Sequence, residues 1–120
     1  MTMEIITATA RLFALAQAGR LETFRLLVAA GPQGLAAGEI ARRLAIAPNT
    51  LSARLNLLSQ AGLVRSQRLG RSIVYAADFS AVQDLLAFLV EDCCEGRPEV
   101  CAPLAGVLER IACCPPTARP

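Results

Sequence analysis

The pattern that most constrains the fold of this chain is a proline followed by leucines at helical spacing. The leucines recur at positions i, i+4 and i+7, on one face of a helix: Leu51, Leu55 and Leu58. Pro48 suits the first position of that helix, where a missing N–H costs nothing. A shorter apolar stripe precedes the proline: Ile40, Ala41 and Leu44. Because only residues 45–47 lie between Leu44 and Pro48, the pattern predicts two helices joined by a tight turn.

Two short strands are predicted after the second of these helices. The helix ends at Gly62, and Leu63 and Val64 begin an apolar run. A second apolar run occupies residues 73–75, and Gly70 marks a turn between the two runs. The pattern as a whole predicts a helix-turn-helix followed by a β-hairpin.

The N-terminal third predicts two further helices that carry no recognisable chemistry. The first ends near Gly19, and its apolar face consists of Ile5, Ile6, Leu12, Phe13 and Ala16. The second is closed by Gly31 and Pro32, and its apolar face consists of Leu21, Phe24, Leu27 and Val28. After the hairpin, residues 80–83 fit a capping box and open a last helix. The predicted fold is mainly α with a small β-hairpin, a winged helix-turn-helix of order α-α-α-α-β-β-α.

Arginine dominates the charge of residues 37–76. Six arginines lie in this stretch: Arg42, Arg43, Arg54, Arg65, Arg68 and Arg71. Glu39 is the one acidic residue there, so the charge predicts a surface that lies on a polyanion. The alternative is a small helical domain whose arginines are merely solvated. Between residues 78 and 110 the sign reverses, with seven acidic residues against two arginines.

The second helix of the pair has an outer side that is mostly small or polar. The residues expected to point wholly or partly outward are Asn49, Thr50, Ser52, Ala53, Arg54 and Asn56. Small and polar side chains suit a helix that enters the major groove of double-stranded DNA. Aromatic residues make up only 4% of the chain, which argues against binding of single strands by base stacking.

A wide apolar stripe runs along the predicted last helix. Its members are Val82, Leu85, Leu86, Leu89, Val90 and Cys93. The stripe either docks onto the domain's own core or forms much of a homodimer interface. We favour the homodimer, because a helix-turn-helix normally binds as a twofold dimer that reads half-sites roughly 34 Å apart. The first helix is a second candidate for contact with a partner subunit.

Five cysteines form two clusters near the C-terminus: Cys93, Cys94 and Cys101, then Cys113 and Cys114. The chain has no histidine, so the first cluster offers an all-sulfur, three-coordinate site. Structural zinc usually binds four ligands, so the first cluster lacks one ligand for zinc unless Cys113 or Cys114 joins it. Arsenite or antimonite, which binds three thiolates in a pyramid, fits this number better. Inert burial of the thiols and a redox switch are the alternatives.

Length and composition predict one small domain that is neither secreted nor inserted in a membrane. The N-terminus lacks a signal peptide's basic region and apolar core, and no apolar run approaches a membrane span. We therefore expect a cytoplasmic protein whose cysteines are thiols or metal ligands rather than a disulfide framework. An enzyme is disfavoured, because the chain has no histidine base, no Gly-rich phosphate loop and no carboxylate pair in a motif.

Three stretches resemble the ArsR/SmtB family of winged-helix metalloregulators: GRLETFRLL (residues 19–27), NTLSARLNLLSQAGLV (residues 49–64) and GRSIVY (residues 70–75). The resemblance implies a homodimer that represses its operator until metal binding releases it. It also implies a DNA-binding face that includes Thr50, Ser52 and Arg54, with Arg71 on the wing. We add Arg65 and Arg68 as phosphate contacts because they lie in the same basic stretch.

Two metal sites of the family are missing from this chain. The helix before the turn, residues 38–44, lacks the Cys-Val-Cys of the familiar arsenite site, and the zinc site requires histidine. What remains resembles the branch whose As(III) or Sb(III) site combines a Cys-Cys pair with a third cysteine, here Cys93, Cys94 and Cys101. We therefore expect a DNA-binding and dimerisation domain over residues 1–92 and a metalloid-binding segment over residues 93–120.

Overall fold

The computed structural model of the protein describes residues 3–90 and Gly106. The chain divides into two units, Met1–Phe88 and Leu89–Pro120, and the first unit contains nearly all of the described residues. The domain boundary predicted between residues 92 and 93 lies outside the described residues and stays a prediction.

Helices and strands follow one another in the described residues in the order α1 (Ile5–Leu15), α2 (Ala18–Ala30), β1 (Leu35–Ala36), α3 (Ala37–Leu44), α4 (Pro48–Gln60), β2 (Val64–Leu69), β3 (Ser72–Ala77) and α5 (Phe79–Val90). The hairpin of β2 and β3 is hereafter the wing. The winged helix-turn-helix prediction is confirmed, with β1 as an additional strand.

The core is built around the leucines of α4. Leu51, Leu55 and Leu58 are 2%, 3% and 0% exposed, as their spacing predicts, and Pro48 opens the helix. Side chains from the rest of the domain complete this core: Phe24, Leu27, Ile40, Leu63, Val64 and Ala77. Full burial of a leucine-sized side chain stabilises a fold by roughly 1.5–3 kcal/mol. The α4 leucines therefore hold this helix firmly with its opposite side facing outward.

The sheet has three antiparallel strands in the order β1-β3-β2. Gly70 takes the left-handed φ of +64° in the turn of the wing, a conformation that glycine adopts without strain. β1 was not predicted, because two residues are too few to show the alternation of a strand. It pairs Leu35 with Tyr75 and Ala36 with Val74, which joins the wing to the segment before α3.

The apolar face predicted for the first helix is exposed in this chain. Ile5, Ile6 and Phe13 are 68%, 79% and 69% exposed, whereas the small side chains of Ala8 and Ala14 are buried. α1 therefore packs closely against the domain through its alanines. The contact of its outer face with a partner subunit stays a prediction.

The boundary between the first two helices lies before Gly19, contrary to the sequence prediction. α1 ends at Leu15, and the side chain of Gln17 caps α2 by accepting a hydrogen bond from the N–H of Arg20 at 2.9 Å. Gly19 is buried in the first turn of α2, and Thr23 is fully buried one turn later. Two residues of the predicted α2 face are partly exposed: Leu21 and Val28.

α5 begins at Phe79 and is capped by Asp78, not by Ser80 as the capping-box pattern predicted. Oδ1 of Asp78 accepts hydrogen bonds from the Ser80 hydroxyl at 2.8 Å and from the N–H of Ala81 at 3.2 Å. Burial raises the pKa of Asp78, but these hydrogen bonds and the charge of Arg65 outweigh it, so the pKa lies below its usual value.

The apolar stripe of α5 is partly buried against the core and partly exposed. Leu85 is buried and Val82 packs against the core, whereas Leu86 is 39% exposed. Part of the stripe thus docks onto the domain's own core. A role of the exposed part in a homodimer stays a prediction, and Cys93 at the end of the stripe lies outside the described residues.

Candidate nucleic-acid interface

An alanine in a left-handed conformation closes the turn between α3 and α4. Ala45 has φ 56° and ψ 47°, and its N–H is directed at the carbonyls of Ala41 and Arg42. The N–H of Ile46 donates to the carbonyl of Ala41 at 3.1 Å. These bonds satisfy two of the four carbonyls at the end of α3, those of Ala41 and Arg42, and offset a cost of about 1–2 kcal/mol for the left-handed residue. The turn thereby sets the angle at which α4 leaves α3.

α4 exposes the polar side that its sequence predicts. The exposed members of the predicted DNA-binding set, hereafter the α4 polar face, are Asn49, Thr50, Ser52, Ala53 and Asn56. The opposite side of the helix carries the buried leucines. Since the polar face has hydroxyl and amide groups that donate and accept hydrogen bonds, α4 has the chemistry needed to read base edges in a major groove.

The wing exposes its arginines. Arg65 and Arg68 lie on β2 and Arg71 follows Gly70 in the turn, and all three arginines are exposed. None of them forms an ion pair with an acidic residue in the described part of the chain. The wing is therefore a positively charged edge beside the helix pair.

A surface cleft of about 400 Å³ connects the wing with the helix pair. Its lining includes Ser52 of α4, Gly38 of α3, and Arg71 and Ser72 of the wing. The structure thus brings two predicted DNA-binding residues, Ser52 and Arg71, to one surface. Sequence reasoning missed Gly38 and Ser72, because neither is charged and only the approach of the wing to α3 places them here.

Arg54 turns inward, unlike the rest of the predicted DNA-binding set. Its side chain is 18% exposed, and its Nη1 donates to Oγ1 of Thr23 at 3.3 Å and lies 3.9 Å from Oε1 of Glu22. Gly19 leaves room for this guanidinium, because a Cβ at that position would lie 2.6 Å from Nη2 of Arg54. Arg54 thus joins α4 to α2, and its contact with DNA stays a prediction.

Two arginines of the basic stretch are paired within α3. Arg42 and Arg43 both donate to the carboxylate of Glu39, and the bond from Nε of Arg43 measures 2.6 Å. Hydrogen bonds from Arg42 and then Arg43 lower the pKa of Glu39 to about 2. Glu39, the one acidic residue of the basic stretch, therefore neutralises part of the charge that Arg42 and Arg43 bring to α3. The unpaired positive charge of the interface lies on the wing.

The predicted metalloid site lies outside the described residues. It comprises Cys93, Cys94 and Cys101, with Cys113 and Cys114 as secondary candidates. Among residues 3–90 and Gly106, no group of three His, Cys, Asp or Glu side chains is placed to hold a metal ion. The ligand set therefore stays a prediction.

The helix pair and the wing are similar to those of known regulators. A family model of a helix-turn-helix domain matches residues 15–67. The crystal structure of a possible transcriptional regulatory protein from Mycobacterium bovis (fragment 1–100) is 30% identical, with 73% of this chain and 94% of that chain covered and a TM-score of 0.56. A solution structure of a fragment 1–100 from the same organism, 28% identical, is described as the homodimeric winged helix-turn-helix DNA-binding domain of a possible ArsR-family regulator. The chain belongs to the ArsR family of transcriptional regulators.

Two other solved structures are similar to this ArsR-family regulator. An ArsR-like transcriptional regulator from Rhodococcus sp. RHA1 shares the fold, with 24% identity, 89% of this chain and 93% of that chain covered and a TM-score of 0.67. Reduced HlyU from Vibrio cholerae N16961 is 28% identical, with 70% of this chain and 88% of that chain covered and a TM-score of 0.56. No curated protein sequence matches the chain significantly. Within residues 3–90, no helix of the regulator has the length and apolarity to cross a membrane.

Proposed function

We propose that this regulator binds double-stranded operator DNA as a homodimer and represses transcription, and that As(III) or Sb(III) bound by cysteine thiolates releases it. The observation that carries the DNA-binding half is the α4 polar face beside the exposed arginines of the wing. α4 enters the major groove, while Arg68 and Arg71 contact phosphates at its flank. Because each neutralised phosphate releases counterions, the affinity falls steeply with salt.

The exposed apolar face of α1 supports the homodimer. Ile5, Ile6 and Phe13 are each more than two-thirds exposed, and contiguous apolar surface on a small domain marks an interaction site. A second copy of this chain is the proposed occupant, because the similar Mycobacterium bovis domain is described as homodimeric. A twofold dimer presents two α4 helices to half-sites about 34 Å apart.

The donor set of the chain favours a trivalent metalloid as the inducer. Histidine is absent, so Cys93, Cys94 and Cys101 supply three soft thiolates, and Cys113 and Cys114 are further candidates. Each As–S bond forms as a thiol proton leaves with a hydroxide of As(OH)3 as water, so three thiols bind arsenite with loss of three waters and no net release of protons. Coupling between sites is typically about 1–3 kcal/mol, and two sites per dimer together approach the roughly 5.5 kcal/mol that near-complete switching requires.

The affinity for duplexes selected from a random pool tests the DNA-binding half. Arg71→Ala is expected to weaken binding similarly across sequences and to lower the salt slope by about 1, whereas Ser52→Ala is expected to lose discrimination between sequences. Arg25→Ala removes an exposed arginine of α2 and serves as the matched control. An Arg71→Ala protein with unchanged affinity at low salt would remove the wing from the interface.

Release from the same duplex by arsenite tests the inducer half. Cys94→Ser is expected to leave DNA binding intact and to abolish release, because only two thiolates of the first cluster remain. The same substitution at Cys114 shows whether the second cluster takes part. If the Cys94→Ser protein is still released by arsenite, Cys94 is not a ligand.

A repressor that responds to thiol oxidation is the second candidate. The similarity to reduced HlyU and the adjacent pair Cys93 and Cys94 favour it. The intact mass of the protein under non-reducing conditions, with and without arsenite, separates the two candidates. Loss of two hydrogens after oxidant treatment supports a disulfide switch, whereas an added arsenic mass supports the metalloid site.

A further inference from the structure

Arg11 is a half-buried residue of α1 whose side chain reaches two other helices. Its Nε donates to the carbonyl of Ala61 at 3.1 Å, and its Nη1 donates to the carbonyl of Ala81 at 3.3 Å. Ala61 is the C-cap of α4, and Ala81 lies in the first turn of α5. One side chain therefore connects three helices that are far apart in sequence.

The end of α4 is suited to receive this guanidinium. The carbonyl of Ala61 is among those at a helix C-terminus that no intrahelical N–H satisfies, and the negative end of the helix dipole favours a cation there. Gly62 has a φ of +80°, and a Cβ at this position would lie 3.2 Å from Nη2 of Arg11. The guanidinium thus fills the space beside Gly62, directly after the helix that carries the polar face.

The same helix, α1, carries the proposed dimer contact on its other side. Arg11 lies on the inner side together with the buried Ala8 and Ala14, whereas Ile6 and Phe13 project outward. α1 is therefore in a position to relate the dimer axis to the orientation of α4, through the bond from Arg11 to Ala61.

We infer that Arg11 is a positioning residue for DNA recognition, because it fixes the orientation of α4 relative to α1 and α5. The inference rests on the proposed binding of DNA by a homodimer. Orientation governs whether two α4 helices fit two half-sites at once. Attraction between wing arginines and phosphates does not depend on that spacing, so loss of Arg11 reduces sequence discrimination and leaves non-specific binding unchanged.

The test compares the affinities of each variant for two duplexes. The wild-type protein selects a specific duplex from a pool of random sequences, each about 30 base pairs long, which is enough for two half-sites one helical turn apart. A scrambled duplex of equal composition measures non-specific binding. Arg11→Met is expected to lower the ratio of specific to non-specific affinity about tenfold, equivalent to about 1.4 kcal/mol. It is also expected to broaden the tolerated half-site spacing, while the salt slope on the scrambled duplex stays unchanged. A general loss of folded protein would instead lower both affinities equally.

Two further variants test whether the effect is specific to the position and the shape of the Arg11 side chain. Arg25→Met makes the same substitution at an exposed arginine of α2, and it is expected to leave the affinity ratio unchanged. Arg11→Lys keeps the charge beside Ala61 but lacks the fork that spans both carbonyls, so it restores part of the ratio.

Each outcome of this experiment bears on the inference. An unchanged ratio and unchanged spacing preference in Arg11→Met overturn it, as does an equal fall of the ratio in Arg25→Met. If the wild-type protein selects no duplex at all, the proposed DNA binding fails and the inference fails with it. If the wild-type protein selects a duplex and Arg11→Met keeps full discrimination, the inference alone fails.

Discussion

Asp78→Ala is expected to lower the free energy of unfolding by about 1 kcal/mol, because N-cap acceptors replaced by alanine typically cost about 0.5–2 kcal/mol. Oδ1 of Asp78 accepts the N–H of Ala81 at 3.2 Å and the hydroxyl of Ser80 at 2.8 Å, and alanine leaves both donors without this partner. A change of this size lowers Tm by about 4–8 °C in a domain of 60–100 residues. Far-UV circular dichroism melts at one fixed protein concentration measure it, since dimerisation makes Tm depend on concentration.

Two matched variants separate the cap from the charge and from the alternative cap. Asp78→Asn keeps an oxygen acceptor at the N-cap, so we expect it to retain most of the stability that Asp78→Ala loses. Ser80→Ala removes only the hydroxyl bond to Asp78, so it should cost less than Asp78→Ala. If Ser80 were the cap, as the capping-box pattern predicts, the order of the two alanine variants would be reversed. Equal melting of Asp78→Ala and wild type would refute the capping geometry altogether.

The pH dependence of the same variants gives an independent check. The pKa of the Asp78 carboxyl is lower in the folded protein than its usual value of 3.8. Because its pKa is lower in the folded than in the unfolded protein, the ionised carboxyl stabilises the fold at pH values above the unfolded pKa. This stabilisation is lost as the pH falls through the folded pKa. The difference in Tm between wild type and Asp78→Asn should therefore be present at pH 7 and shrink below about pH 4. A difference that grows in acid would contradict the assigned sign.

Three other predictions follow from the described residues. Leu58→Ala should cost about 2–5 kcal/mol in denaturant unfolding, because this side chain is fully buried, whereas Leu57→Ala at a 42% exposed position should cost much less. Gly34→Ala should destabilise the protein, because Gly34 has a φ of +72° and a Cβ there would clash with the backbone of β3. Gly38→Ala is the matched control: a Cβ at Gly38 meets open space, so the substitution should be neutral or stabilising by up to about 1 kcal/mol. NMR titration of the Glu39 carboxyl should give a midpoint near 2 instead of 4.5, and loss of either arginine partner should raise that midpoint.

The parts of the fold that sequence predicted well are those encoded by short-range patterns. Pro48 and the spacing of Leu51 and Leu55 depend only on helix geometry, and Gly70 depends only on the φ that a hairpin turn requires. β1 escaped prediction because its two residues acquire a strand conformation only by pairing with β3. The start of α5 was misplaced because both Asp78 and Ser80 are good N-cap residues, and sequence alone does not rank them.

The candidate site was predictable in its outline but not in its charge balance. The α4 polar face is the complement of the buried leucines, so periodicity was sufficient to find it. The partners of the arginines were not predictable, because Arg54 meets Thr23 and Arg11 meets Ala61 only after the helices have packed. An arginine count therefore overestimated the surface available to phosphates, and the pairing of Glu39 within α3 reduced it further.

β1, the shortest strand of the domain, limits how far the turn of the wing can move relative to the helix pair. Leu35 and Ala36 are held by β3, and α3 starts at the very next residue, Ala37. Because no loop lies between β1 and α3, the turn of the wing moves along a duplex only if hydrogen bonds between β1 and β3 break or if α3 moves with it. In the proposed complex with DNA, Arg71 and Ser52 would therefore approach the duplex at a separation fixed by the protein. A duplex whose groove width does not match that separation must deform to bind. Sequences that deform easily are then bound more tightly, without any additional contact to their bases.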